Sequence, residues 1–145
     1  MLKRILTFSA VAFLAAVGIA RADAVDDQVT AAYAAWNEAF NKGDPAAIVA
    51  FYADDAKFLP PDHVVYDGPA GVQKFFTGLL GNGVNSHGLE LIESDASGDL
   101  IVAVAKWSAK GKDASGADAA FGGIATHVFE KQADGSYKLI YHTFN

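Results

Sequence analysis

The feature that most constrains the fold is a run of four long, β-rich apolar segments: Ser86 to Glu93, Leu100 to Lys110, Ala119 to Glu130 and Tyr137 to Phe144. The connections Ser94–Asp99, Gly111–Asp118 and Gln132–Ser136 are short and loaded with Gly, Asp and Ser. Such turns join strands that neighbour one another, so the pattern predicts a four-stranded antiparallel meander. Charged residues mark its outer face at Glu90, Lys106, Glu130 and Lys138. Alternation then turns inward His87, Leu89 and Leu91; Ala103, Ala105 and Trp107; Phe121, Gly123, Ala125, His127 and Phe129; and Tyr137, Leu139, Tyr141 and Thr143. A bulge would invert part of this set. Small residues in mid-strand either admit a close-packed helix or leave room for a ligand.

Ahead of the meander the period changes. Val29, Tyr33, Trp36 and Phe40 recur at helical spacing from Asp26 onward, with Gln28, Asn37 and Lys42 on the opposite face and Gly43 closing the helix. Asp44-Pro45 supplies an N-cap and first residue for a short second helix burying Ile48, Phe51 and Tyr52, which Ala53-Asp54-Asp55 ends. Ala56 to Pro60 and Val64 to Tyr66 read as a brief hairpin around Pro60-Pro61, because proline cannot donate to a ladder. After the turn Asp67-Gly68-Pro69, a third helix buries Val72, Phe75, Phe76, Leu79 and Leu80 until Gly81 to Gly83 stops it. The sum is an α+β domain with helices on one face of the sheet.

The first residues predict a destination. Lys3 and Arg4 precede an apolar run from Ile5 to Ile19, and Ala22-Asp23-Ala24 offers small residues two apart, the pattern of a secretory signal peptide over residues 1–24. The processed chain would start at Val25, with Asp23 as the alternative, leaving one domain over 25–145. The run is shorter than the roughly 20 residues that span a bilayer, so no membrane anchor is expected. Removing the leader takes three basic residues and one acidic residue, leaving 8 against 16 and a net charge near −8. With its lysines scattered singly, such a chain is a poor partner for nucleic acid. The absence of cysteine excludes disulfides, thiol nucleophiles and thiolate metal sites.

The stretch Trp36-Asn37-Glu38-Ala39-Phe40-Asn41-Lys42-Gly43-Asp44-Pro45, running into Phe51-Tyr52-Ala53-Asp54-Asp55-Ala56-Lys57-Phe58, resembles the SnoaL-like and DUF4440 branch of the NTF2-like superfamily. So do Asp67-Gly68-Pro69 before a helix and the closing Asp134-Gly135-Ser136-Tyr137-Lys138-Leu139. The resemblance covers nearly all of 25–145. It implies an NTF2-like cone, in which a strongly curved antiparallel sheet wraps three helices around an apolar pocket, and often a homodimer through the outer sheet face. It is weak for function, because isomerases, cyclases, dehydratases and ligand carriers share this scaffold. In the ketosteroid isomerases of this superfamily a tyrosine and a buried acid form an oxyanion hole and a hairpin carboxylate moves the proton. Matched by motif, the tyrosine position holds Trp36, the base position Pro60, and the buried acid falls at His127. Proline moves no proton, so that mechanism is not supported.

These readings leave three functions open. The first is an exported protein holding a small, largely apolar molecule among Tyr33, Trp36, Phe58, Tyr66, Phe76, His87, Trp107, His127 and Tyr141. The second is an isomerase, cyclase or dehydratase using His127 and Asp62 as proton carriers, with Asp62 and His63 in the hairpin at the mouth of the cone. The third is a dimeric interaction module whose cone is filled by its own side chains. His87 and His127 could equally be core histidines bonded to a carbonyl or a tyrosine hydroxyl, and His142 alternates outward. No HxH, HxxxH or HExxH spacing exists, so neither metal nor other cofactor is expected.

Overall fold

The computed structural model describes the backbone from Val11 and the side chains from Asp23 onward, to Asn145. The expected leader and its cleavage position lie largely outside those residues. Helix α1 runs over Val11–Asn41 and so is already under way before Asp26, where the apolar spacing placed its start. The alanine-rich stretch before Asp26 favours helix and contains no proline to break it. Asp26 consequently does not cap α1; its carboxylate accepts a bond from Ser94 Oγ at 2.5 Å. None of the described helices is long and apolar enough to cross a membrane.

At its far end α1 closes on Gly43, whose positive φ suits a helix stop. The Gly43 N–H reaches Phe40 O at 2.8 Å. Asp44 then caps α2 (Pro45–Val49) by accepting from Ala47 N at 3.0 Å, as the sequence predicts. Ala53, Asp54 and Asp55 do not end that helix. They belong to β1 (Tyr52–Leu59), which starts four residues earlier than expected. Tyr52, Ala56 and Phe58 are buried while Asp54 and Asp55 are both exposed, because an irregularity in the β1–β6 register between Tyr52 and Lys57 breaks the alternation and turns the two aspartates outward. Strand β2 is only Tyr66–Asp67; Val64 and Val65 remain in the loop. Helix α3 (Gly68–Gly81) follows at once. A side chain at Gly68 would sit 2.8 Å from Asp54 O, and φ there is positive. Only glycine fits this corner.

Strands β3 (Asn85–Ser97), β4 (Leu100–Lys112), β5 (Asp118–Lys131) and β6 (Tyr137–Phe144) form the predicted antiparallel meander. The sheet order is β2-β1-β6-β5-β4-β3, and β1 joins β6 in parallel, which makes the curved sheet mixed rather than wholly antiparallel. The three hairpin reversals bring β6 back pointing the way β1 points.

The inner-face assignment holds along β4 and most of β5, where Ala103, Ala105, Ala125, His127 and Phe129 are buried. It fails in β6 because of a bulge. Phe129 pairs with Leu139 but Val128 with Tyr141, so Ile140 is an extra residue and the alternation reverses beyond it. Tyr141 and Thr143 therefore face outward, Tyr141 being 50% exposed, while His142 lies inside at 6%.

The core between the concave sheet and the helices is aromatic. Phe58 is fully buried, with Phe75, Phe76 and His142 ring centroids 4.8, 5.2 and 4.8 Å away. Burying such a ring contributes about 1.5–3 kcal/mol. Ala103 and Ala105 join this cluster, whereas Ala109 and Ala125 border open space, so the small residues serve both purposes that the sequence allowed.

Candidate functional site

That space is a cavity of about 350 Å3 between all four strands of the meander, the end of α1 and α3. Trp36 and Phe40 from α1, Phe76 and Leu79 from α3, and Leu89, Trp107 and Phe144 from the sheet give it apolar walls. His87 and His142 are the two ionisable side chains set among them, while Asn82, Lys112 and Phe121 border it where residues are exposed.

His87 is the most constrained of the lining side chains. Asn41 grips its backbone twice, donating from Nδ2 to His87 O at 2.9 Å and accepting from His87 N at 2.7 Å. One turn earlier on α1, Asn37 Oδ1 lies 2.8 Å from His87 Nδ1. Residues four apart share a helix face, so two asparagines of one face hold both the main chain and the ring. The preceding Ser86 takes a φ of 55°, a left-handed conformation that sets His87 against α1. Its ring packs 4.8 Å from Trp36 and 4.7 Å from Phe40 and lies nearly parallel to Trp107. Burial pushes its pKa down to about 4, so it is neutral at pH 7.

Two further histidines lie side by side, with ring centroids 4.4 Å apart. Tyr33 OH is 2.8 Å from His127 Nδ1 and Tyr52 OH 2.7 Å from His142 Nδ1. Burial lowers His127 to about 3, with the His87 charge a smaller influence. Burial likewise holds His142 well below its ordinary value, assisted by His127 and His87. Burial also raises both tyrosines, which therefore stay protonated. The Trp36 indole is close enough to lower the Tyr52 pKa slightly, yet its Nε1 forms no hydrogen bond and is the buried polar atom left without a partner among the described residues.

The interior thus holds neutral donors and acceptors and no charge. His127 and His142 are the buried polar side chains among the described residues, and no carboxylate is buried with them. Nor, among the described residues, do three histidines or carboxylates converge in a way that could hold a metal.

Of the residues expected to line a pocket, Trp36, Phe76, His87 and Trp107 border this cavity. Tyr33, Phe58 and His127 sit in the packed core behind it. Tyr66 lies at the hairpin against Phe75, and Tyr141 is on the opposite face of the sheet for the reason the Ile140 bulge supplies. Asp62 is exposed and is consumed locally, accepting from Val64 N and Tyr66 OH at 2.9 Å each. His63 is exposed beside it. The structure therefore does not bring Asp62 and His127 together: one faces solvent and the other is sealed behind a tyrosine.

Sequence reasoning missed His142, because nothing in the residues announces the bulge. It also assigned Asn37 to the outer face of α1, although the Asn37–Asn41 spacing directly beside Trp36 and Phe40 was a visible sign that polar side chains adjoin the apolar stripe.

Glycine in mid-strand also has an answer. A side chain on Gly123 would lie 2.2 Å from Asn145 O and 2.9 Å from Trp107 Nε1. What approaches Gly123 is Asn145, which accepts from Trp107 Nε1 at 3.0 Å and, through Oδ1, from Ile124 N at 2.9 Å. The latch holds the indole that lines one wall of the cavity.

Residues 33–139 match the model of the SnoaL-like domain, nearly three quarters of the chain. The chain belongs to this family. Solved structures agree on the fold. A ketosteroid isomerase-like protein of Erwinia carotovora superposes with a TM-score of 0.70 at 21% identity, covering 79% of this chain and 90% of its own. An NTF2-like superfamily protein of Salmonella enterica gives 0.71 at 15% identity, covering 85% and 91%. A domain of unknown function with a cystatin-like fold from Nostoc punctiforme gives 0.71 at 13%, covering 84% and 76%. No curated protein is detectably similar. This SnoaL-like domain is therefore an NTF2-like cone, and likenesses at such identities carry its fold and not its chemistry.

Proposed function

We propose that this SnoaL-like protein is exported and holds a small, flat, largely apolar molecule in its cone. The observation that carries the reading is the aromatic-walled cavity of about 350 Å3, which falls within the ordinary size range of ligand sites and whose inner walls carry neutral polar groups, the charged Lys112 standing at its exposed edge and paired with Asp118. A cone packed solid by its own side chains, as an interaction module would have, leaves no such space. Proton transfer between Asp62 and His127 is not carried forward, since the two share no cavity.

Export rests on the basic, apolar and small-residue pattern of residues 1–24. A homodimer through the outer sheet face is the second part of the proposal. Val102, Val128 and Tyr141 align across three strands there, Val102 and Tyr141 exposed and Val128 half-buried, an apolar row that a second copy would cover.

Toluene is a suitable probe of the cavity. At about 0.5 kcal/mol per atom it gains about 3.5 kcal/mol, a Kd of about 3 mM. Titration should shift the indole N–H resonances of Trp36 and Trp107, both of which line the cavity, in a saturable way. Indole signals that do not move with toluene overturn the reading.

A further inference from the structure

The His87 ring has two nitrogens with different obligations. Asn37 Oδ1 lies 2.8 Å from His87 Nδ1. An amide oxygen only accepts, so this contact fixes the proton on Nδ1. In the neutral ring the other nitrogen, Nε2, is then a bare acceptor. It meets no hydrogen-bond donor among the described residues, and the ring that carries it borders the cavity. Asn41 removes the remaining freedom by holding the His87 main chain at both N and O. Trp36, Phe40 and Trp107 pack around the ring that carries this acceptor, with Trp107 nearly parallel to it, so its surroundings are aromatic.

We infer that the cone selects an uncharged planar molecule carrying a hydroxyl or ring N–H, with His87 Nε2 accepting that hydrogen and the aromatic walls taking the ring. The inference rests on the proposed reading of the cavity as a ligand site and adds the polar group that the ligand must present. A carboxylate or phenolate has no hydrogen to give and would be desolvated beside a neutral imidazole, whereas a hydroxyl arriving at Nε2 satisfies both partners. His87 is a positioning acceptor in this account, and no bond is made or broken. His142, the cavity's other histidine, has its Nδ1 committed to Tyr52.

The test compares phenol with anisole, which differ by replacing the donated hydrogen with a methyl group, and uses toluene as the apolar reference. Binding is read from the indole resonances, and the nitrogen shift of His87 Nε2 is followed in the same samples. A net hydrogen bond of about 1 kcal/mol makes the phenol-to-anisole ratio about 3- to 10-fold higher in the native protein than in His87→Leu. His87→Gln, whose side-chain amide oxygen can still accept, should keep part of that preference. In the native protein alone, phenol and not anisole should move the bare-nitrogen signal of His87, which keeps the proposal falsifiable if His87→Leu does not fold. Equal binding of phenol and anisole with an unmoved His87 signal, while toluene still binds, overturns this inference and leaves the cavity as a ligand site. If none of the three compounds binds, the ligand-site reading falls, and this inference falls with it.

Discussion

Acid should unfold this protein through its buried histidines well before its carboxylates titrate. His127 and His142 are nearly inaccessible and His87 is partly buried, and burial lowers all three pKa values, to about 4 for His87 and about 3 for His127. The sign follows from linkage. Above pH 6.5 the rings are neutral in both folded and unfolded chains and proton binding favours neither. Below it the unfolded chain takes up protons that the folded one refuses, so stability falls as pH drops towards the folded values. Each refused proton costs about 1.4 kcal/mol per pH unit, hence about 4 kcal/mol per unit for the three. Two units would remove about 8 kcal/mol, comparable to the entire stability of a typical domain at about 5–15 kcal/mol. The carboxylates held down by hydrogen bonds, Glu38, Asp113 and Asp134, begin to act only from their ordinary values of 4.5 and 3.8 downward. Urea unfolding followed by tryptophan fluorescence at pH 7, 6 and 5 measures the slope. His142→Asn keeps an acceptor for Tyr52 and removes one titrating ring. Its slope between pH 6 and 5 should be shallower by about 1.4 kcal/mol per unit, whatever its stability at pH 7. A free energy constant to within about 1 kcal/mol from pH 7 to 5, or a variant slope equal to the native one, would refute the burial argument.

Gly123→Ala places a Cβ in the space of Asn145 O and Trp107 Nε1. Such overpacking should cost about 2 kcal/mol and lower Tm by about 5 °C. An unchanged Tm in a thermal melt would show that this corner is slack. Native mass spectrometry of the protein expressed with residues 1–24 and recovered outside the cytoplasm should give twice the mass of a chain beginning at Val25. A monomer mass counts against the sheet-face dimer, and retention of residues 1–24 counts against export.

Much of the fold was written in local patterns. The meander was legible because its strands are long and their turns carry Gly, Asp and Ser, and α3 because its apolar stripe is uninterrupted between Pro69 and Gly81. β1 was cut short because Ala53-Asp54-Asp55 after a helical stripe looks like a helix end. Only pairing with β6, far along the chain, makes it a strand. The parallel pairing itself leaves no local trace. The site was less legible than the fold. Trp36 and Phe76 could be placed by helical period and Trp107 by strand alternation, whereas His87 lies at the cavity although the β3–β4 register shifts between Asn85 and Gly88. Asn37 and Asn41 acquire a role only from β3, which the helix meets in space and not in sequence. Asp62 was attractive by analogy of position, but it is spent on Val64 and Tyr66 within its own turn, a use that short-range chemistry favours.

The supernumerary Ile140 means that the two sides of the last strand differ by one unit of chain length and not by residue identity. Were the same residues laid in an unbulged ladder, a phenol and a threonine would enter the cone while an imidazole and a benzyl group went to the outer surface. On this scaffold, whether a single residue is absorbed as a bulge decides which side chains line the interior and which cover the sheet, a larger chemical step than any one replacement allows.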